Sequence, residues 1–409
     1  MSPQAKKYVR VRMYNVGFGD CFLLFIPSPD GVKKILFDCG VHFQGRGPRP
    51  IDEVAAQIVE DVRDPDGVAR IDVVVGTHRH QDHVSGFESE VWDEVEVKEV
   101  WMPWTENPKD PEGRRILEKQ SRRALQLQQA ALRFGLGAKV EAMAVNSMTN
   151  EKAMLTLHEG FAGDPKRVFL PFKTRSANTF KRPFLPGVTV HVMGPSRDPQ
   201  VIRDMDPPDE ETFKHLSDLL SGNGGASELP FHSGWAVTPS RFGSAAKHLV
   251  LSKAETAKIE KFGEDDGVAA AVALEKAVNG TSLMLMLQVG KAYMLFPGDA
   301  QWGTWSSAMQ DEEWRGLLDR TTFYKVGHHG SHNATPKSFV NEILKKDFWA
   351  MACTGPSHSW TNTIPQKDLL KALREKSKKV VRSDKADVPD PGSNFVREGN
   401  KYVEAKIPV

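Results

Sequence analysis

Residues 77–83, THRHQDH, constrain this chain more than any other stretch of its sequence. Three histidines and an aspartate fall within six residues, directly behind the apolar run 71–76, IDVVVG. Imidazole and carboxylate groups are the ligands that borderline and hard divalent metals prefer. We therefore favour a metal-binding loop at the end of a buried strand over the alternative, a solvated polar loop.

The spacing within this stretch indicates two ions. If the strand ends at Thr77 and the chain tightens into a loop, the side chains of His78 and His80 converge on one metal. Asp82 and His83 then stand at the start of the next helix and face a second metal. A single His-x-His pair is common, whereas the full pattern behind a β-branched strand is a strong signal.

Three more strand-like segments end in residues that can bind a metal. They are followed by Asp38, by Asp299 and by His328, the last within the segment GHHGSH. Because α/β sheets place ligand sites beyond the carboxyl ends of their strands, we expect these residues to converge with residues 77–83. Asp38 precedes a glycine, so it is either a turn residue or the partner that orients a ligand histidine; the spacing leaves both open.

Bulk composition is typical of a soluble globular protein. Hydrophobic residues make up 40% of the 409 residues and charged residues 26%, and the net charge of +1 gives no global attraction to nucleic acid or acidic membranes. No signal-peptide pattern opens the sequence, and the longest apolar runs are strand-sized. The three cysteines imply no disulfide framework. We expect a cytoplasmic protein with no membrane association.

The order of elements predicts one α/β domain over residues 1–409 with two inserted segments. Helical periodicity covers 51–63, 112–134 and 301–318. We predict a helical insertion at 106–150, whose basic residues are either a phosphate-contact strip or, as we favour, a solvated face. Residues 195–280 are broken repeatedly by proline and glycine and are predicted to be an irregular insertion or lid.

These motifs together resemble the metallo-β-lactamase superfamily. The segments NVGFGD (15–20), LFDCG (36–40), PGD (297–299) and KVGHHGS (325–331) are most similar to the hydrolase domain of the ComEC-type DNA-uptake proteins. The resemblance covers roughly residues 8–105, 165–195 and 280–390, without the membrane channel of those proteins. It implies a four-layer αββα sandwich with inserted segments.

The resemblance also implies a binuclear centre of two divalent ions, zinc or manganese. Its expected ligands are His78 and His80 for the first ion, Asp82, His83 and His328 for the second, and Asp299 as a bridge, with Asp38 behind them as an orienting group.

One departure from the family pattern concerns the first ion. Many members place another histidine just before the strand that leads to the Gly-Asp motif, but residues 278–282 read VNGTS here. His191 and His232 are candidate substitutes, and each is more simply explained as a structural or surface histidine. Fewer nitrogen ligands favour manganese over zinc.

The expected activity is that of a metal-dependent hydrolase that uses a bridging hydroxide on the binuclear site. We favour a phosphodiesterase or nuclease, whose partner is a phosphodiester substrate such as nucleic acid. Asp82 and His329 are the expected catalytic residues, and Ser331 and His332 are weaker substrate-binding candidates. For His329, packing within the loop is an equally strong alternative.

Two other functions use the same residues. An acyl hydrolase of this fold opens lactone, thioester or β-lactam rings with the same chemistry, although the missing histidine and missing signal peptide argue against it. A binding or scaffold module with a degenerate site is the third, and the nearly complete ligand set argues against that, because buried charges without a metal repel one another.

Overall fold

The computed structural model describes most of the chain. The described residues are 7–42, 45, 47–134, 150–212, 272–274, 276–331, 333, 335–355, 364–385 and 394–409. Two candidate residues, His232 and His332, lie outside them. So do most of the predicted 195–280 insertion and the end of the predicted 106–150 insertion.

Fifteen strands are formed by the described residues. They are β1 Tyr8–Tyr14, β2 Phe22–Ser28, β3 Gly31–Phe37, β4 Arg70–Val75, β5 Glu96–Pro103, β6 Lys166–Leu170, β7 Thr179–Phe180, β8 Val188–Gly194, β9 Met284–Val289, β10 Ala292–Phe296, β11 Phe323–Lys325, β12 Trp349–Ala352, β13 Lys379–Arg382, β14 Phe395–Glu398 and β15 Tyr402–Pro408.

The α-helices formed by the described residues include several between consecutive strands of a sheet. They are α1 Ile51–Asp61, α2 Gln81–Val84, α3 Pro111–Phe134, α4 Glu151–Glu159, α5 Pro199–Arg203, α6 Trp302–Gln310, α7 Glu312–Leu318 and α8 Lys367–Lys376, with a π-helical segment at Phe339–Ile343. None of these helices is both long enough and apolar enough to span a bilayer.

The strands form two mixed sheets. The first runs β14-β15-β1-β2-β3-β4-β5-β6, antiparallel as far as β3 and parallel from β3 to β6. The second runs β13-β12-β11-β10-β9-β8-β7, parallel from β13 to β10 and antiparallel beyond. The strand ends that carry the candidate ligands therefore belong to parallel pairs, β3 with β4 and β10 with β11, and each pair delivers its loops to one edge.

Side chains from both sheets share one hydrophobic core. Phe37 of β3 stacks on Phe296 of β10 with ring centroids 4.1 Å apart. On β10, Met294 and Phe296 belong to this core, while Leu295 joins a second core formed with α6, α7 and α8. Because successive strand residues point to opposite faces, β10 is buried on both sides, which explains its uninterrupted apolar sequence.

These elements confirm the predicted α/β class. The helix predicted at 51–63 is α1, whose buried residues Val54, Ala55, Ile58 and Val59 recur at helical spacing. The single helix predicted at 301–318 is instead two, α6 and α7. The break falls at Asp311, whose side chain accepts a hydrogen bond from the backbone N–H of Trp314 and so caps the second helix.

Candidate metal centre

The centre forms where the loops after β3, β4, β10 and β11 meet. Gly40, after β3, packs directly on the α2 backbone: a β-carbon on this glycine would lie 2.5 Å from the backbone nitrogen of His83. The backbone N–H of Asp20 donates to the carbonyl of Asp82 over 2.8 Å, which ties α2 to the loop before β2. The absence of a side chain at Gly40 therefore allows the loops to approach closely enough to share one centre.

Asp38 holds the loop after β4 in place. Its Oδ1 accepts a hydrogen bond from the backbone N–H of Thr77, its Oδ2 accepts one from the Thr77 hydroxyl, and both bonds are 2.7 Å long. Oδ2 also lies 2.8 Å from Nδ1 of His83. This contact leaves Nε2 of His83 directed at the centre, which is the arrangement expected for an orienting carboxylate.

Four buried residues bring their ligand atoms together at the centre. Asp82, His83, Asp299 and His329 each place one ligand atom so that all four lie within 4.8 Å of one another. Nε2 of His83 lies 3.1 Å from Oδ2 of Asp299, and Nε2 of His329 lies 3.0 Å from Oδ2 of Asp82. The group unites residues from both sheets.

His78 and His80 form a pair beside this group. Nε2 of His78 lies 3.1 Å from Nδ1 of His80, and the His78 ring lies 4.1 Å, centroid to centroid, from that of His83. Burial lowers the pKa of His78 well below its usual value, and it lowers the pKa of His80 to about 4. Both imidazoles are therefore neutral at pH 7, which is the form that binds metals.

The structure places the two histidines after β11 differently. His329 is fully buried, and its Nδ1 lies 3.0 Å from the carbonyl oxygen of Cys353. His328 keeps 22% of its side chain exposed, its Nε2 lies 3.8 Å from Oδ2 of Asp299, and its Nδ1 lies 2.8 Å from the hydroxyl of Ser331. Of these two histidines, His329 joins the four-residue group and His328 lies at its edge.

The backbone conformation of the loop after β11 explains why His329, and not His328, points into the buried group. His328 and His329 both have positive φ, 42° and 52°, and Gly330 follows at 81°. Three consecutive residues in the left-handed region turn the loop sharply, so the second histidine points inward. A β-carbon at Gly330 would lie only 2.9 Å from Cβ of Pro365. Strained backbone of this kind persists only where surrounding contacts enforce it.

Two buried residues that the sequence analysis did not select complete the centre. Oδ2 of Asp20 lies 3.7 Å from Nδ1 of His83, and Oδ1 lies 3.7 Å from Nδ1 of His329. The ammonium of Lys325 contacts Asp20 and lies 3.6 Å from Oδ1 of Asp299. A lysine inside the strand FYK is the signal that could have revealed this pair, because buried lysines need a carboxylate partner.

The donor set fits divalent cations. Asp20, Asp38, Asp82 and Asp299 are all buried, and Lys325 is the one buried lysine or arginine among the described residues near them. Uncompensated buried carboxylates cost several kcal/mol. Burial alone lowers the pKa of His83, but the Asp299, Asp38 and Asp82 carboxylates outweigh it and raise that pKa well above its usual value. Additional positive charge, such as that of a divalent cation, would therefore stabilise these four buried carboxylates.

Buried polar atoms without a hydrogen-bond partner also indicate that this group could hold a divalent cation. Oδ1 of Asp82, Nε2 of His80 and Nε2 of His83 are buried without a hydrogen-bond partner among the described residues. Nε2 of His83 is close to Asp299 yet lacks hydrogen-bond geometry with it. Buried ligand atoms that lack a hydrogen-bond partner are expected where they would bind an ion.

The segment that lacks the expected histidine lies next to the centre. The backbone N–H of Leu283 donates to the carbonyl of Thr77 over 2.9 Å. Oδ1 of Asn279 and Oγ of Ser282 are buried there without a hydrogen-bond partner in the described part of the chain. His191, a candidate substitute, instead lies between β7 and β9, where its ring nitrogens contact Thr179 and Gln288.

No protein-family profile matches the chain, and no curated protein matches it.

Proposed function

We propose that this protein is a metal-dependent phosphodiesterase, with nuclease activity as its most specific form. The observation that carries the proposal is the convergence of Asp82, His83, Asp299 and His329 beside the His78–His80 pair. The proposed fold is the four-layer αββα metallo-β-lactamase sandwich. Its support is a core shared by the two sheets and a second core between one sheet and α6–α8.

The proposed ligands differ from the family expectation at one position. His78 and His80 would hold the first ion, Asp82, His83 and His329 would hold the second, and Asp299 would contribute to both. His329 takes the place expected of His328 because its ligand nitrogen belongs to the buried group. When bound, two divalent ions supply Lewis acidity, which lowers the pKa of water and neutralises an anionic transition state.

The protein's own residues then have distinct tasks. Asp38 and the Cys353 carbonyl accept hydrogen bonds from Nδ1 of His83 and His329, which fixes both tautomers with Nε2 facing inward. His328 remains partly exposed at the rim, and its Nδ1 contacts the Ser331 hydroxyl. We assign His328 the task of contacting the leaving oxygen, with Ser331 holding its ring.

The substrate class is proposed from charge. Phosphodiesters are anionic, and α3 carries exposed basic residues in its described part: Arg114, Arg115, Lys119, Arg122 and Arg123. Within the described chain, one of these five forms an ion pair, Arg115 with Glu112 at 2.6 Å. Because four of these five charges have no ion pair within the described chain, we now propose the phosphate-contact strip over the solvated face, with nucleic acid as the natural form of the substrate.

The test is a hydrolysis panel with the purified protein. Single-stranded DNA, RNA and bis-p-nitrophenyl phosphate are incubated with manganese and the wild-type protein, and with the Asp82→Ala, His83→Ala double variant. We expect cleavage by the wild type and its loss in the variant, with the circular-dichroism spectrum unchanged. A wild type that leaves every phosphodiester intact but opens nitrocefin or a homoserine lactone would make this an acyl hydrolase instead.

A further inference from the structure

Arg79 stands between the two histidines of the first ion and is held from two sides. Its Nε donates to Oε1 of Glu106 over 3.0 Å, and its Nη2 donates to Oε2 over 2.8 Å. Its backbone carbonyl accepts a 2.6 Å hydrogen bond from Nδ2 of Asn150. Both the side chain and the peptide of Arg79 are therefore fixed.

Glu106, the partner of Arg79, is buried and anchored by several contacts. Glu106 keeps only 2% of its side chain exposed, and Nε2 of His158 lies 4.0 Å from its Oε2. It ends the short helical turn Trp104–Glu106, which is anchored by the indole N–H of Trp104 donating to the carbonyl of Ser196. The turn also contacts α3, where a β-carbon on Gly113 would lie 2.9 Å from the Trp104 carbonyl oxygen.

The pair of half-buried Arg79 and buried Glu106 is costly to break from one side, yet an ion pair is not needed here for stability as such. Desolvation of two charges offsets most of their attraction, and hydrophobic replacements are often equally stable. The planar, bidentate guanidinium–carboxylate fork instead gives precise orientation. It also commits Nε and Nη2 of Arg79 to Glu106, which holds the side chain in one orientation.

We propose that Glu106 acts through Arg79 as a positioning residue that holds His78 and His80 ready for the first ion. Because the flanking side chains leave the chain on either side of Arg79, fixing the Arg79 side chain and carbonyl restricts both imidazoles. The first ion lacks one expected histidine, so its affinity depends on the two that remain being pre-arranged. This inference rests on the metal centre of the proposed function and is independent of the substrate.

The test measures metal binding rather than turnover. The metal-free full-length protein is titrated with Co²⁺ by calorimetry, and the Co²⁺ absorption spectrum is followed in parallel. For Glu106→Gln we expect the affinity for the first ion to fall about 10–100-fold while the second ion binds as in the wild type. The matched control is Glu99→Gln, which breaks another buried pair, Glu99 Oε2 to Arg182 Nε at 2.8 Å, and leaves both binding events unchanged.

Three results overturn the positioning role: unchanged Co²⁺ binding in Glu106→Gln, equal weakening of both ions, or the same selective loss in Glu99→Gln. If Glu106→Gln does not fold, Arg79→Lys replaces it, since lysine keeps the charge but lacks the fork. A wild type that binds no Co²⁺ overturns the metal centre and the positioning role together. A wild type that binds two Co²⁺ ions but cleaves no phosphodiester overturns only the proposed activity.

Discussion

Nε2 of His329 lies 3.0 Å from Oδ2 of Asp82, although 247 residues separate them in sequence. This contact closes the centre between the loops after β4 and β11. It also distinguishes His329 from its neighbour His328, which remains partly exposed and outside the buried group. The roles of the two adjacent histidines are therefore separable by mutation.

We predict that His329→Ala loses about one equivalent of bound metal, whereas His328→Ala retains the metal and loses phosphodiester hydrolysis about 10²–10⁴-fold. Elemental analysis and hydrolysis of bis-p-nitrophenyl phosphate measure the two effects. His191→Ala is the control and is expected to change neither. If His328→Ala loses the metal and His329→Ala keeps it, the roles are reversed.

Removal of the metal is expected to lower the melting temperature. Without the metal, Lys325 is the buried lysine or arginine nearest to the four buried carboxylates among the described residues. The folded state also loses the free energy of metal binding. Differential scanning calorimetry with and without EDTA, followed by addition of excess Mn²⁺, measures the change and its reversal. An identical melting temperature under all three conditions would contradict a metal centre.

Lys325→Met is predicted to destabilise the metal-free protein by about 3–5 kcal/mol, because it leaves Asp20 buried beside Asp299 without its cation. Adding Asp20→Asn should recover part of this loss, since the double variant removes both charges. Urea unfolding in EDTA gives the free energies. A loss that is the same with and without Asp20→Asn would show that Lys325 acts through packing alone.

Charge reversal on α3 is predicted to weaken binding to single-stranded DNA. Arg122→Glu with Arg123→Glu should also reduce the dependence of log K on log[salt] by about 0.7 for each phosphate that the variant no longer neutralises. Fluorescence anisotropy in EDTA measures binding without cleavage. Lys371→Glu with Arg374→Glu on α8 is the matched control, as it changes the net charge equally. Equal weakening by both pairs would mean that α3 is only a solvated face.

Glu106 is predicted to contribute a pH-dependent part of the stability. Burial alone would raise the pKa of Glu106. Arg79 and His158 outweigh burial and lower this pKa from the ordinary 4.5 to about 2. A lowered pKa stabilises the fold above pH 4.5 and ceases to do so as the pH falls to about 2. At neutral pH the free energy of unfolding of the wild type should exceed that of Glu106→Gln by about 3 kcal/mol. This difference should shrink below pH 4.5. Urea unfolding between pH 7 and pH 3 measures it, and a constant difference would contradict the shifted pKa.

Local patterns were sufficient to place candidate residues directly after β3, β4, β10 and β11. β4 could be read from its β-branched run, and the helix at 51–63 from its apolar spacing, because both depend on residues close in sequence. The division of 301–318 into two helices could not, since a capping aspartate within an apolar pattern has several local conformations. The assignment of metals to these ligands stays a prediction.

The sequence by itself determined that Asp38, residues 77–83, Asp299 and the two histidines after β11 stand at strand ends, since strand length and polarity are local properties. Only the tertiary structure decided which histidine faces inward, because the left-handed turn at 328–330 brings Nδ1 of His329 to the Cys353 carbonyl and leaves no room for a side chain at Gly330 beside Pro365. The tertiary structure also placed Lys325 beside Asp20 and Asp299, and Glu106 beside Arg79. The importance of Lys325 and Glu106 comes from partners distant in sequence, and no local pattern encodes those contacts.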